Sequence, residues 1–170
     1  SARGCSIASG TGAPVVVGSG LAGDPAAPEA ASGYRLGYKA KTSSNYMVVA
    51  NTPLATKAGC DVLKAGGTAV DAAVAVQAVL GLVEPQSSTI AGSAFMMYYD
   101  AATKKVVAYD GRETAPAAAT GYYLVRQNQA DASSAAPVPS ARRSGRSIGV
   151  PGVMRMLDMS HKEHGKLAWA

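Results

Sequence analysis

The sequence has few of the residues that staple or anchor small folds. Among 170 residues there are two cysteines, one tryptophan and one phenylalanine, and aromatics together reach only 6%. Cys5 lies in a low-complexity stretch and Cys60 in a helical pattern, and two cysteines make neither a disulfide framework nor a metal site. A Cys5–Cys60 bridge is open to the chain, though nothing in their spacing supports it. Cys60 reads as a small core residue, because as a nucleophile it would need a positioned base and the only histidines are His161 and His164. Those two stand at i and i+3 on a polar helix, without a Glu or Cys at the spacing that would complete a ligand set, so no metal is expected. No apolar run approaches the ~20 residues of a membrane-crossing helix, which excludes such a span. Also missing are a phosphate-binding glycine loop, a paired-carboxylate motif and any spacing that marks a Ser-His-Asp triad. Acidic residues are outnumbered, 11 against 16 basic, for a net charge of +5. Seven of the sixteen basic residues fall within 101–150, three of them Arg142, Arg143 and Arg146. Such a loop can attract nucleic acid or acidic lipid. No aromatics alternate with these arginines, so the segment reads as a solvated loop with no nucleic-acid partner.

What is abundant is alanine, with 34 residues inside a hydrophobic fraction of 48%. A core built from such side chains must be close-packed helix and sheet. At roughly 150 residues per domain the length suits one domain. Residues 1–45 form an Ala/Gly/Ser/Pro-rich leader with weak periodicity, expected to be poorly ordered apart from a short strand at Val15–Val17. No intact secretion signal opens the chain, and the leader reads as what remains after one is removed.

From Met47 the pattern changes. Met47–Ala50 predicts a short strand or a chain entering the core. Asn51 or Thr52 then caps a helix with Pro53 at its first position, and Leu54, Ala58, Val62 and Ala65 keep the helical period until Gly66-Gly67 ends it. Thr68 with Asp71 resembles a capping box opening a second helix. From Ala69 to Val83 only Asp71 and Gln77 are polar, which predicts burial on nearly every side until Glu84-Pro85 stops the helix. Ala94–Tyr99 and Lys105–Tyr109 predict two strands joined by a turn over Asp100–Lys104, with at least one face packed under helices. Residues 117–147 predict a long loop, and Val153 to Gly165 a third helix with Val153, Met156, Leu157 and Ser160 inward.

Arg112 stands out among candidate functional residues. It follows the second strand in Asp110-Gly111-Arg112-Glu113-Thr114-Ala115-Pro116. A strand end is a rigid base from which a guanidinium can bind a carboxylate through two parallel hydrogen bonds. An ion pair with Glu113 or Asp110 is the alternative, and spacing alone favours it.

Several blocks, in order, resemble the start of the large subunit of the γ-glutamyltransferase family. They are Met47–Asn51, Pro53–Ala55, Ala65–Ala75 with its Gly-Gly-Thr-Ala-Val-Asp-Ala-Ala core, Val83–Ser88, Phe95-Met96, Tyr99-Asp100, Arg112–Pro116, Gly149–Gly152 and His161 through Leu167. The resemblance covers about residue 46 to the end, leaves out 1–45 and 120–145, and is specific, since two such blocks are hard to meet by chance. It implies an α+β fold, the αββα sandwich of N-terminal-nucleophile hydrolases, of which this chain supplies only part. It implies a precursor that cuts itself into two subunits. The N-terminal threonine of the small subunit attacks the γ-carbonyl of glutathione or a related compound, and the acyl group passes to water, an amino acid or a peptide. The arginine of the Arg-Glu-Thr-Ala-Pro block binds the α-carboxylate of the γ-glutamyl group, a role that maps onto Arg112. The partners implied are the small subunit, the rest of the large subunit and the γ-glutamyl substrate. No cofactor is implied, no catalytic residue is expected in this chain, and the setting is the periplasm or outside the cell.

Three departures bear on this. Where the family has a glycine-rich run, the sequence reads Ser87-Ser88-Thr89-Ile90-Ala91-Gly92-Ser93-Ala94, so glycine-only backbone there would be strained. The chain ends at Ala170, short of a complete large subunit, and alone is expected to be inactive. Ala168 replaces a usual proline. A cephalosporin-acylase-like relative and a non-catalytic carboxylate-binding homologue are the alternatives.

Overall fold

The computed structural model describes residues 41–169. The leader expectation therefore lies outside the described residues over 1–40, including Val15–Val17 and Cys5. The chain divides into two units: one runs to Ser88 and takes in the chain from Glu163 onward, and the other spans Thr89–Lys162.

In the first unit, α1 (Pro53–Lys64) begins as its sequence dictates. The Thr52 hydroxyl accepts from the Ala55 N–H at 3.3 Å, and Pro53 occupies a first-turn position where no N–H is needed. At the other end Gly66 takes φ +88°. Its N–H donates to the Leu63 carbonyl at 3.1 Å and that of Gly67 to Val62 at 3.0 Å, the paired bonds of a glycine-closed helix end. Thr68 and Asp71 then form the reciprocal capping box that opens α2 (Ala69–Val83). The two helices pack closely because Gly59 has no side chain. A Cβ there would come within 2.7 Å of Val76 Cγ2 and 2.8 Å of Val48 Cγ1. Cys60, beside it, is buried and disulfide-bonded, so its sulfur is both a core atom and chemically used, against the weak case its spacing made.

Two expectations need correction here. Of the two readings for Met47–Ala50, the strand is absent and the chain entering the core is present: Val48 packs on α1 while Val49 is 83% exposed, and the Ala50 N–H donates to the Thr56 hydroxyl at 3.2 Å. The second expectation, burial of α2 on nearly every side, holds only for its first turn, where Val70, Asp71 and Ala72 are buried, whereas Leu82 is largely exposed. An apolar helix needs neighbours on several sides, and among the described helices of its unit only α1 packs on it.

Asp71 does more than cap. Its carboxylate is 6% exposed and accepts from the backbone N–H of Thr68 at 2.7 Å, of Lys166 at 3.0 Å and of Leu167 at 3.3 Å. Burial pushes its pKa up, but these bonds and the Thr68 hydroxyl together outweigh it and hold the carboxyl below its usual value. A depressed folded-state pKa means stability that is complete above the unfolded value of about 4 and is lost as pH falls through the folded one. Asp71→Asn keeps one acceptor oxygen but removes the charge these N–H groups bind, and sets an amide N–H against the Lys166 N–H that Oδ1 accepts at 3.2 Å. It should cost about 2 kcal/mol and flatten the acid limb of stability against pH, as read by denaturant melts across pH 3–6, a range of about three units around that value.

In the second unit, β1 (Ala94–Asp100) and β2 (Lys105–Gly111) pair antiparallel from Ala94 opposite Gly111 to Asp100 opposite Lys105. The turn is held by Asp100, which accepts from the Ala102 N–H at 2.9 Å and the Thr103 hydroxyl at 2.7 Å, with Lys104 at φ +56°. Tyr109 is buried on one face. Phe95, Met97 and Tyr99 are exposed on the other. Helix α3 (Val153–His164) buries Val153, Met156, Leu157 and Ser160, the stripe its period predicts. Met156 lies against Gly111, where a Cβ would stand 2.7 Å from Met156 Cβ. Residues between β2 and α3 carry only a two-residue bridge and short 3-10 turns over Ala141–Arg143 and Gly145–Ser147, as a long loop should.

Candidate functional site around Arg112

Arg112 stands one residue past β2. Its backbone N–H donates to Asp110 Oδ1 at 2.9 Å, which ties the residue to the strand end. Its side chain is 61% exposed, and its Nη2 lies 3.3 Å from Glu113 Oε1. The neighbouring ion pair expected as the alternative is therefore present. Such a pair at the surface is worth ~0–1 kcal/mol, too little to bar an incoming carboxylate from the other guanidinium donors.

Glu113 is half-buried beneath it. Its carboxyl is held below the usual range first by the Ser93 hydroxyl, next by its own backbone N–H, against some desolvation and with help from the Arg112 charge. It stays ionised at neutral pH and keeps Arg112 facing a negative charge.

The floor of the site comes from chain far away in sequence. Thr114 and Val150 exchange backbone hydrogen bonds of 3.2 and 2.8 Å. Gly149 abuts the Glu113 side chain, where a Cβ would sit 2.7 Å from Glu113 Cγ. Gly152 is tighter: a Cβ there would stand 2.4 Å from the Gly111 carbonyl oxygen and 2.9 Å from that of Arg112. The Gly92 carbonyl accepts from the N–H groups of Gly152 and Val153, each at 3.2 Å, which satisfies donors at the start of α3. Three segments, around Gly92, Arg112 and Gly152, thus converge on one backbone junction.

The departure from a glycine-rich run is explained at that junction. Among the described residues positive φ occurs only at Gly66 and Lys104, so residues 89–94 adopt backbone open to any side chain.

The arginine-rich segment is solvated as expected at two of its three arginines and not at the third. Arg142 and Arg143 are exposed, but Arg146 is half-buried, with its guanidinium directed onto the carbonyls of Tyr123, Arg126 and Gln127. The sequence alone did not show this role, nor the long reach of Asp71. A lone arginine has no local signature of a distant carbonyl cluster. His161 and His164 both lie on α3, and among the described residues no group of three or more His, Cys, Asp or Glu is placed to hold a metal ion. No described helix is long and apolar enough to cross a membrane.

Residues 55–170 match the protein family described as Gamma-glutamyltranspeptidase. Among curated proteins, the chain is 44% identical over 112 residues to the glutathione hydrolase proenzyme of Bacillus subtilis, covering 66% of this chain and 18% of that protein. It is 38% identical over 127 residues to glutathione hydrolase 3 of Arabidopsis thaliana, covering 75% and 18%. The chain thus spans about a fifth of the length of these relatives. Among solved structures, it resembles the gamma-glutamyltranspeptidase of Pseudomonas nitroreducens complexed with L-DON, with TM-score 0.64 and 32% identity over 75% of this chain and 36% of that one. For the Helicobacter pylori gamma-glutamyltranspeptidase the values are 0.65, 29%, 76% and 35%. Helices with an antiparallel hairpin fit part of the α+β fold of those structures.

Proposed function

The chain belongs to the gamma-glutamyltranspeptidase family, and from that premise we propose that it is part of an enzyme that cleaves γ-glutamyl amide bonds. The donors are glutathione and related compounds, and the acceptors are water, amino acids or peptides. The observation that carries this reading is Arg112: an exposed guanidinium on a backbone pinned by Asp110 and by the Thr114–Val150 exchange. In this reading two guanidinium N–H groups take the substrate α-carboxylate. That contact fixes the γ-carbonyl, a few bonds of flexible chain away, before a nucleophile.

The nucleophile is the N-terminal threonine of a second subunit, released when the precursor cuts itself, and its own α-amino group acts as base. The hydroxyl oxygen attacks the γ-carbonyl carbon, its proton passes through that amine to the leaving nitrogen, and an acyl-enzyme results. Water or an amine then takes the acyl group. The chain described here supplies the carboxylate anchor and scaffold, and the setting is the periplasm or outside the cell.

The test is N-terminal sequencing and a denaturing mass spectrum of the purified protein, followed by assays with glutathione and a γ-glutamyl anilide. A second chain beginning with threonine, together with release of glutamate, supports the proposal. A protein that stays uncut and releases nothing overturns it in favour of a non-catalytic carboxylate binder. Turnover of a cephalosporin side-chain amide with no γ-glutamyl turnover overturns the substrate class alone.

A further inference from the structure

The segment from Ala115 to Gly149 leaves the end of β2 and returns to it at one point, the hydrogen-bonded exchange of Thr114 with Val150. It has no α-helix or strand of its own; its two 3-10 turns and local backbone bonds, such as Ala119 N–H to Pro116 O at 2.9 Å, hold its short turns. Arg146 adds the contacts that tie its outgoing half to its returning half. Its Nη1 donates to the carbonyls of Tyr123 at 3.1 Å and Arg126 at 2.5 Å, and its Nη2 donates to that of Gln127 at 2.6 Å. Its guanidinium carbon lies 5.8 Å from the centre of the Tyr123 ring. These carbonyls lie at the end of a turn whose own bonds, such as Arg126 N–H to Tyr122 O at 2.9 Å, leave them pointing onward. One planar fork therefore joins the outgoing half of the loop to the returning half. At the outer end Gln127 donates to the Ala135 carbonyl at 2.7 Å, and the Thr120 hydroxyl donates to that of Gln129 at 2.6 Å.

Four residues after the fork, the chain reaches Val150. Between them Gly149 rests on the Glu113 side chain. The backbone that pins Thr114 and supports Glu113 is thus the backbone Arg146 holds. Arg112 has a long, exposed side chain paired with neighbouring Glu113, so its aim depends on that support.

We infer that Arg146 is a positioning residue for the Arg112 site: by clamping the loop onto itself it fixes the returning chain that sets where Arg112 meets a substrate carboxylate. The inference rests on the reading of Arg112 as the carboxylate anchor. Arg146 is not a ligand in it, since carbonyls already take its donors.

The test is steady-state kinetics of the complete enzyme with a γ-glutamyl donor, comparing Arg146→Ala, Arg146→Lys, Arg142→Ala and Arg112→Ala. Arg146→Ala should raise KM about three- to tenfold and leave kcat within about twofold, the split of a misaligned anchor with intact chemistry. Lysine keeps the charge but loses the fork, so Arg146→Lys should recover only part of that rise. Arg142→Ala should change neither constant. If Arg112→Ala raises KM and Arg146→Ala does not, this inference is overturned and the anchor reading survives. If Arg112→Ala is also without effect, the anchor reading itself fails. Should Arg146→Ala not fold, Arg146→Lys decides: a KM equal to that of the unaltered enzyme overturns the inference.

Discussion

Arg112→Ala in the complete enzyme is expected to lower kcat/KM for γ-glutamyl donors by about two orders of magnitude, chiefly through KM. A bidentate guanidinium–carboxylate contact holds two charge-assisted hydrogen bonds, each worth about 1.5–3 kcal/mol, and one factor of ten is about 1.4 kcal/mol. Part of that is offset in the resting protein, because Arg112 is 61% exposed and already near Glu113. Lysine at this position keeps a point charge without the planar fork, so Arg112→Lys should recover about tenfold of the loss. Donors lacking the α-carboxylate should show no difference between Arg112 and alanine, which separates carboxylate binding from damage to the fold. Unchanged kinetics with glutathione would sink the assignment.

Gly152→Ala is expected to be the most destabilising single-methyl change in the second unit, at about 3 kcal/mol or more in a denaturant melt. The cause is space and not backbone conformation, since Gly152 has no positive φ. A Cβ would stand 2.4 Å from the Gly111 carbonyl oxygen, 2.8 Å from its carbon and 2.9 Å from the Arg112 carbonyl oxygen. All three are backbone atoms, which no rotamer change can move aside. Relief would have to come from parting the start of α3 from the end of β2, and that junction also carries the bonds from Gly152 and Val153 to Gly92. Gly121→Ala is the matched control: nothing lies within 4 Å of its Cβ position, so its effect should stay within about 0.5 kcal/mol. Equal melts for the two variants would contradict the packing described here.

Local elements were legible because local chemistry decides them. Thr52-Pro53, Gly66-Gly67 and the Thr68/Asp71 pair satisfy or release backbone groups within one turn, so the limits of α1 and α2 follow from neighbours in sequence. The hairpin and the inward stripe of α3 follow equally from periods of two and of 3.6 residues. The Arg112 block was legible as a family motif and as a strand end. Its supports were not, because Glu113 meets Gly149, and Thr114 meets Val150, across a loop without periodicity. Burial was misjudged for α2, since composition tells how much cover a helix needs and not which neighbour provides it.

The sequence by itself thus determined where helices and strands begin and end, which family the chain resembles and which arginine to watch. Backbone hydrogen bonding and side-chain periodicity act over three or four residues, and a motif carries its own order. Only the tertiary structure decided that Asp71 also takes the N–H groups of Lys166 and Leu167, that Arg146 clamps three carbonyls about twenty residues earlier in the chain, and that Gly152 must lack a side chain. Each of those depends on two segments arriving at the same few ångströms of space, and no property of either segment alone contains the distance between them.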